Sequence, residues 1–264
     1  MKIKTVFLWQ SAESISYYFL LITHLYFLYF YMTKEMYGSM GLLFSSIYLM
    51  VPLINGGLDE AIAPYFSKLS KNKMLCKEWF YKNLLINLFL YIFISFFFLS
   101  FVLFRVEVSL AALVLVIAAI ESLKKTCKTF LQLSLHIEAT VMGELGMVFS
   151  YVILIWSSIF IQGSITLYNI FLPLLFCSFI EFACFWYILH SWFNTASLQN
   201  SSPFLISYLE TMRLRFSLYL YTLATVATST NCIIPIIVSW YGVAQAAHAK
   251  FISSIVMNIL FILK

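Results

Sequence analysis

Eleven carboxylates, sixteen lysines or arginines and four histidines carry almost all the charge chemistry available to these 264 residues. Their spacing decides what that chemistry can be. Gln10, Glu13, Tyr17 and His24 follow helical offsets, so they share one face of a helix. Glu13 and His24 are therefore candidates for a proton- or cation-responsive cavity, the alternative being an end-of-helix carboxylate satisfied by a neighbouring helix. Glu121, Lys124, Lys125 and Lys128 also recur at helical spacing, with Gln132 one turn beyond. Ammonium groups in a low-dielectric cleft attract phosphate and diphosphate strongly, which makes these three lysines candidates for holding an anionic substrate. Read otherwise, they are the inner end of a helix whose long side chains reach back to the interface. Glu181 stands within an apolar run beside Cys177, Ser178 and Cys184, and a carboxylate there needs a partner from another helix. It joins Glu13 and His24 as a candidate cavity or ion-coupling group. Lys250 and the Thr222, Thr225, Ser229 face complete the candidate lining, although such hydroxyls also serve as interhelical hydrogen-bonding groups.

Several chemistries are excluded by counting. A single aspartate, Asp59, leaves no paired-aspartate metal cluster, and the eight glycines form no phosphate loop ending in Gly-Lys-Ser/Thr. The four histidines stand at no metal-ligand spacing, and the five cysteines include no CxxC. No cofactor, metal, enzymatic activity or nucleic-acid partner is expected.

The elements that must position these groups are membrane helices. With 62% apolar, 19% aromatic and 10% charged residues, the chain lacks the charged surface of a soluble domain, which averages roughly 25% charged residues. Apolar runs, breakers and charges predict an all-α polytopic membrane protein with spans near 6–31, 39–62, 83–104, 109–128, 141–161, 167–191, 214–238 and 244–263. Eight spans place both termini on one side. Thirteen basic residues then fall on inner segments and three, Lys34, Arg105 and Lys250, on outer ones, so the charge bias predicts cytoplasmic termini. Connections are short, leaving any function to the bundle itself. Asp59 and Glu60 read as counter-charges to the lysine-rich stretch 68–82, which can rest on anionic lipid headgroups.

Two segments look alike. Tyr37-Gly38 precedes Ser45-Ser46-Ile47, and Tyr241-Gly242 precedes Ser253-Ser254-Ile255, which matches the seventh span to the first as a parallel duplication of a six-helix unit would. The stretch Leu53-Ile54-Asn55-Gly56-Gly57-Leu58-Asp59-Glu60-Ala61-Ile62-Ala63-Pro64-Tyr65-Phe66-Ser67-Lys68 then resembles polysaccharide flippases of the multidrug/oligosaccharidyl-lipid/polysaccharide exporter superfamily, as do the Tyr37-Gly38 and Tyr241-Gly242 turns and the lysine-bearing fourth span. The resemblance implies two six-helix lobes about a central cavity lined by the first, second, seventh and eighth helices. That cavity would move a lipid-linked saccharide across a bacterial inner membrane by alternating access. On that reading residues 1–212 form one lobe and 213–264 the first two helices of a second. Partners are membrane lipids, a lipid-linked oligosaccharide, and a second copy or partner chain completing the lobe. The alternatives are an ion-coupled multidrug-type exporter of the same superfamily and a non-transporting fragment.

Overall fold

The computed structural model describes residues 28–65, 69, 72–102, 107–134, 136–194, 205–227, 229–243 and 247. Of the candidate site residues, Glu13, His24 and Lys250 lie outside them. The described residues form α1 (Leu28–Tyr31), α2 (Lys34–Asn55), α3 (Leu58–Ile62), a 3-10 turn (Ala63–Tyr65), α4 (Lys73–Val102), α5 (Val108–Leu133), α6 (Ile137–Gln162), α7 (Tyr168–Asn194), α8 (Leu205–Ala227) and α9 (Thr230–Tyr241). No strand occurs among them. The all-helical expectation holds.

Four helices, α2, α4, α6 and α7, are long and apolar enough to cross a membrane, and α8 with α9, bent by 46° at their junction, makes a fifth candidate span. The helix expected to run unbroken over 214–238 is therefore two helices meeting at an angle. At 1.5 Å per residue α5 reaches about 39 Å, long enough to cross, but Glu121, Lys124, Lys125 and Lys128 sit in its second half. The expected spans 6–31 and 244–263 lie almost wholly outside the described residues.

Helix ends follow local chemistry rather than hydropathy. Thr33 caps α2, its hydroxyl accepting from the Met36 amide at 3.3 Å, so the helix starts at Lys34 and absorbs the expected turn at Tyr37-Gly38. Asn72 accepts from the Leu75 amide at 3.0 Å, and α4 starts ten residues before the expected span. Lys82 pairs with Glu78 at 2.7 Å on those extra turns, and the Lys73 ammonium lies 5.4 Å from the Trp192 ring centre. The stretch expected as a basic loop is thus partly helix. Gly163, with φ of 65°, ends α6 in the left-handed conformation that favours glycine. Tyr241 is instead the last residue of α9, and Gly242 has φ of 88°. The look-alike Tyr-Gly pairs therefore differ in conformation, one inside a helix and one at a helix end. They nevertheless meet, because the Gly38 backbone packs directly on that of Val243.

The central helix is α5, which touches α2, α4, α6 and α7, most extensively the last. Its first half packs Ala111, Val114, Ile117 and Ala118 into one apolar cluster with Ile54, Phe171 and Leu174. Its second half packs Cys127, Phe130 and Leu131 into another with Trp79, Phe80 and Phe185. Aromatic contacts tighten the second cluster, Phe80 standing edge-on to Phe130 with ring centres 5.2 Å apart. Between the clusters lies a polar layer to which each of α2, α4, α5, α7 and α8 contributes. The outward faces are apolar, as with Leu85, Phe89, Phe96 and Phe160, the surface such helices turn to lipid.

Candidate functional site

The polar layer has two halves, separated by the two faces of α5. On the first, helical periodicity projects Glu121, Lys124, Lys125 and Lys128 toward α6 and α7. The Lys124 ammonium lies 2.8 Å from each Glu121 oxygen and 3.0 Å from Glu181 Oε2 on α7. The Ser178 hydroxyl, one turn before Glu181, donates to Glu121 Oε1. Lys128 pairs with Glu144 on α6. A central carboxylate on α7 therefore finds its partner on α5, as its position requires. Glu181 is 3% exposed, and its Oε1 has no hydrogen-bond partner among the described residues.

A cleft of about 340 Å³ opens along this face, lined by Val51 of α2, by Glu121, Lys124, Lys125, Lys128, Thr129 and Gln132 of α5, and by Glu144 of α6. All three candidate lysines reach it. Glu181 is not among the lining residues and acts on the cleft through Lys124. The resemblance puts a cavity among the first, second, seventh and eighth spans, whereas this cleft lies between those corresponding to the second, fourth and fifth. No group of three or more His, Cys, Asp or Glu side chains among the described residues could hold a metal ion.

The two ion pairs differ in consequence. Lys128 and Glu144 side chains are 22% and 23% exposed, so water compensates either charge when its partner is removed. Lys128→Gln is expected to lower stability by about 1 kcal/mol, read as a small fall in the detergent-solubilised melting temperature. A loss as large as that of a Lys124 variant would show that both pairs are equally shut from water.

The second half of the layer was not legible as a site. Asn55 of α2 donates to Ser122 Oγ at 2.9 Å, and Asn87 of α4 donates to Asn55 Oδ1 at 2.8 Å and Thr126 Oγ1 at 2.9 Å. Thr126 in turn donates to Asn55 Oδ1 at 2.9 Å. Into this cluster α8 inserts Arg215, 4% exposed. Its Nη1 donates to Asn83 Oδ1 at 2.7 Å, its Nη2 to Asn87 Oδ1 and to the Ile54 carbonyl at 3.3 Å, and its Nε to the Gly56 carbonyl at 3.4 Å. Those carbonyls end α2, where unpaired acceptors and the helix dipole both favour a cation. Asn83 and Asn87, one turn apart in an apolar helix, and Ser122 and Thr126, likewise one turn apart, are the pattern that signals a buried polar seam. Arg215 gave no such signal. Counted among inner-loop cations with Lys124, Lys125 and Lys128, it lies with them inside the bundle, so those four do not weigh in a loop-charge bias.

Glycines make room for this insertion. Gly57 has φ of 67°, and a Cβ there would lie 2.7 Å from the Arg215 carbonyl oxygen. A Cβ on Gly56 would lie 2.7 Å from the Tyr219 ring. The Gly56-Gly57 pair quoted in the exporter resemblance is thus the socket for α8. No family model, curated protein or solved structure matches the chain, and that resemblance rests on the quoted residues alone.

Proposed function

We propose that this chain is a membrane transport protein, multi-pass in a bacterial inner membrane with cytoplasmic termini, whose α2/α5/α6 cleft receives the anionic head of an amphipathic substrate. A lipid-linked saccharide is the substrate class that the exporter resemblance implies. The observation that carries the reading is the cleft itself. Lysines and glutamates line it along the second half of the central helix, inside the bundle, where charges are costly and usually serve a pathway or a bound ion. Because Lys124 and Lys128 already hold carboxylates, an arriving phosphate exchanges partners with them rather than meeting bare cations.

The test uses proteoliposomes and a fluorescent polyprenyl-diphosphate saccharide whose exposure on each leaflet is read by quenching. Lys125→Gln leaves the Glu121–Lys124–Glu181 and Lys128–Glu144 pairs intact and is expected to slow transfer about tenfold, the factor lost with one charge-assisted hydrogen bond. Transfer at the parental rate would remove the lysine face from substrate binding.

A second reading, ion-coupled export of cationic compounds, is favoured by Glu181 Oε1, a buried carboxylate oxygen lacking a donor among the described residues. Ethidium efflux that depends on the protein and vanishes in Glu181→Gln, with no saccharide transfer, would select it.

A further inference from the structure

The amide half of the polar layer does more than close a gap between helices, because it ends on the same turns of α5 that carry the cleft lysines. Ser122 and Thr126 face α2 and α4, while Glu121, Lys124, Lys125 and Lys128 lie about a third of a turn around the helix at 3.6 residues per turn. From Arg215 the contacts run without a break to Asn87, from Asn87 to Asn55 and Thr126, and from Asn55 to Ser122. A guanidinium is a rigid planar fork, so its seat specifies the direction of every acceptor it meets. Asn87 presents its oxygen to Arg215 and its amide protons to Asn55 and Thr126, and cannot turn over without losing both. The Asn87 orientation therefore depends on α8, and Asn87, through Asn55 and Thr126, is one of the contacts that fix the rotation of α5.

We propose that Arg215 is a positioning residue that couples the docking of α8 on the α2 terminus to the presentation of the α5 lysine face in the cleft. With the guanidinium seated between the Ile54 and Gly56 carbonyls and the Asn83 and Asn87 oxygens, α5 is held with its lysines toward α6 and α7. When α8 withdraws, the acceptors lose their cation, Asn87 is released, and α5 is free to rotate or admit water along its opposite face. The Gly56-Gly57 socket is built for close seating, and the break between α8 and α9 gives α8 a hinge at its far end. This device stands apart from the identity of the substrate, since its readout is the state of the cleft and not transport.

The experiment labels single cysteines in the full chain with its five native cysteines replaced. Gln132→Cys reports the cleft, and Ser164→Cys, in the exposed α6–α7 connection, reports a site remote from it. Labelling rates with a small charged thiol reagent are compared in the Arg215, Arg215→Lys and Arg215→Gln backgrounds. Arg215→Gln is expected to change the Gln132→Cys rate about tenfold or more, the ratio corresponding to one lost hydrogen bond to a charged group, with the Ser164→Cys rate within about twofold. Arg215→Lys, which restores charge without the fork, should recover only part of the change. Should Arg215→Gln fail to give a monodisperse protein, Asn83→Leu, which removes one acceptor and leaves the Asn87 contact, is expected to shift Gln132→Cys labelling in one direction by about threefold. Unchanged Gln132→Cys labelling in a folded variant, or equal acceleration at both cysteines, overturns the coupling.

Discussion

Lys124→Met is expected to cost about 3–5 kcal/mol of stability, the largest effect of any single charge removal in the described bundle. The reason is the carboxylate left behind. Glu181 is 3% exposed, one of its oxygens has no donor among the described residues, and Lys124 pairs with the other at 3.0 Å. Glu121 suffers less, because Ser178 still donates to it. The double variant Lys124→Met, Glu181→Leu removes both charges and fills the space with apolar atoms, so it is expected to recover most of the loss. Melting temperature and denaturation by SDS in mixed micelles, for the two single variants and the double, measure the coupling directly. A double variant no more stable than Lys124→Met would mean that packing, not an uncompensated charge, sets the cost.

Gly57→Val is the second large effect, and two other glycines separate its causes. Gly57 combines φ of 67° with a backbone approach of 2.7 Å from α8, whereas Gly163 has φ of 65° with nothing within 4 Å of an added Cβ, and Gly146 has open space and no positive φ. A β-branched residue in the left-handed region costs about 1–3 kcal/mol, and displacing α8 adds the unseating of Arg215. The expected order of destabilisation is Gly57→Val, then Gly163→Val, then Gly146→Val, the last below about 0.5 kcal/mol as for an exposed position. Only Gly57→Val should also alter cleft labelling at Gln132→Cys. If Gly57→Val and Gly163→Val lowered the melting temperature equally, local strain alone would account for both, and the socket would have no energetic role.

Hydropathy made the helices legible. α6 and α7 end within a few residues of their expected bounds, because runs such as 145–161 carry no charge and Gly163 stops the first with a conformation favouring glycine. Extensions were not legible where charged residues continue a helix beyond the apolar run, as at Lys73 to Lys82 on α4, since lysine and glutamate are good helix formers outside the hydrocarbon. The break between α8 and α9 was also missed, because the stretch across it carries no charge, although Thr228-Ser229-Thr230-Asn231 interrupts the apolar run and Ser229 stands at the N-cap of α9.

Of the candidate site, the residues could be read and their partners could not. Charge spacing alone singled out Lys124, Lys125, Lys128 and Glu181, since an ionisable group in an apolar helix is visible one residue at a time. That Lys124 belongs to Glu181, Lys128 to Glu144, and Arg215 to the end of α2 depends on how each helix is rotated about its own axis. Helices such as α4 and α6 are apolar nearly all round, so their sequence carries almost no preference for one rotation over another. The rotation is decided when buried donors on one helix must find acceptors on the next, a condition that only the assembled bundle imposes.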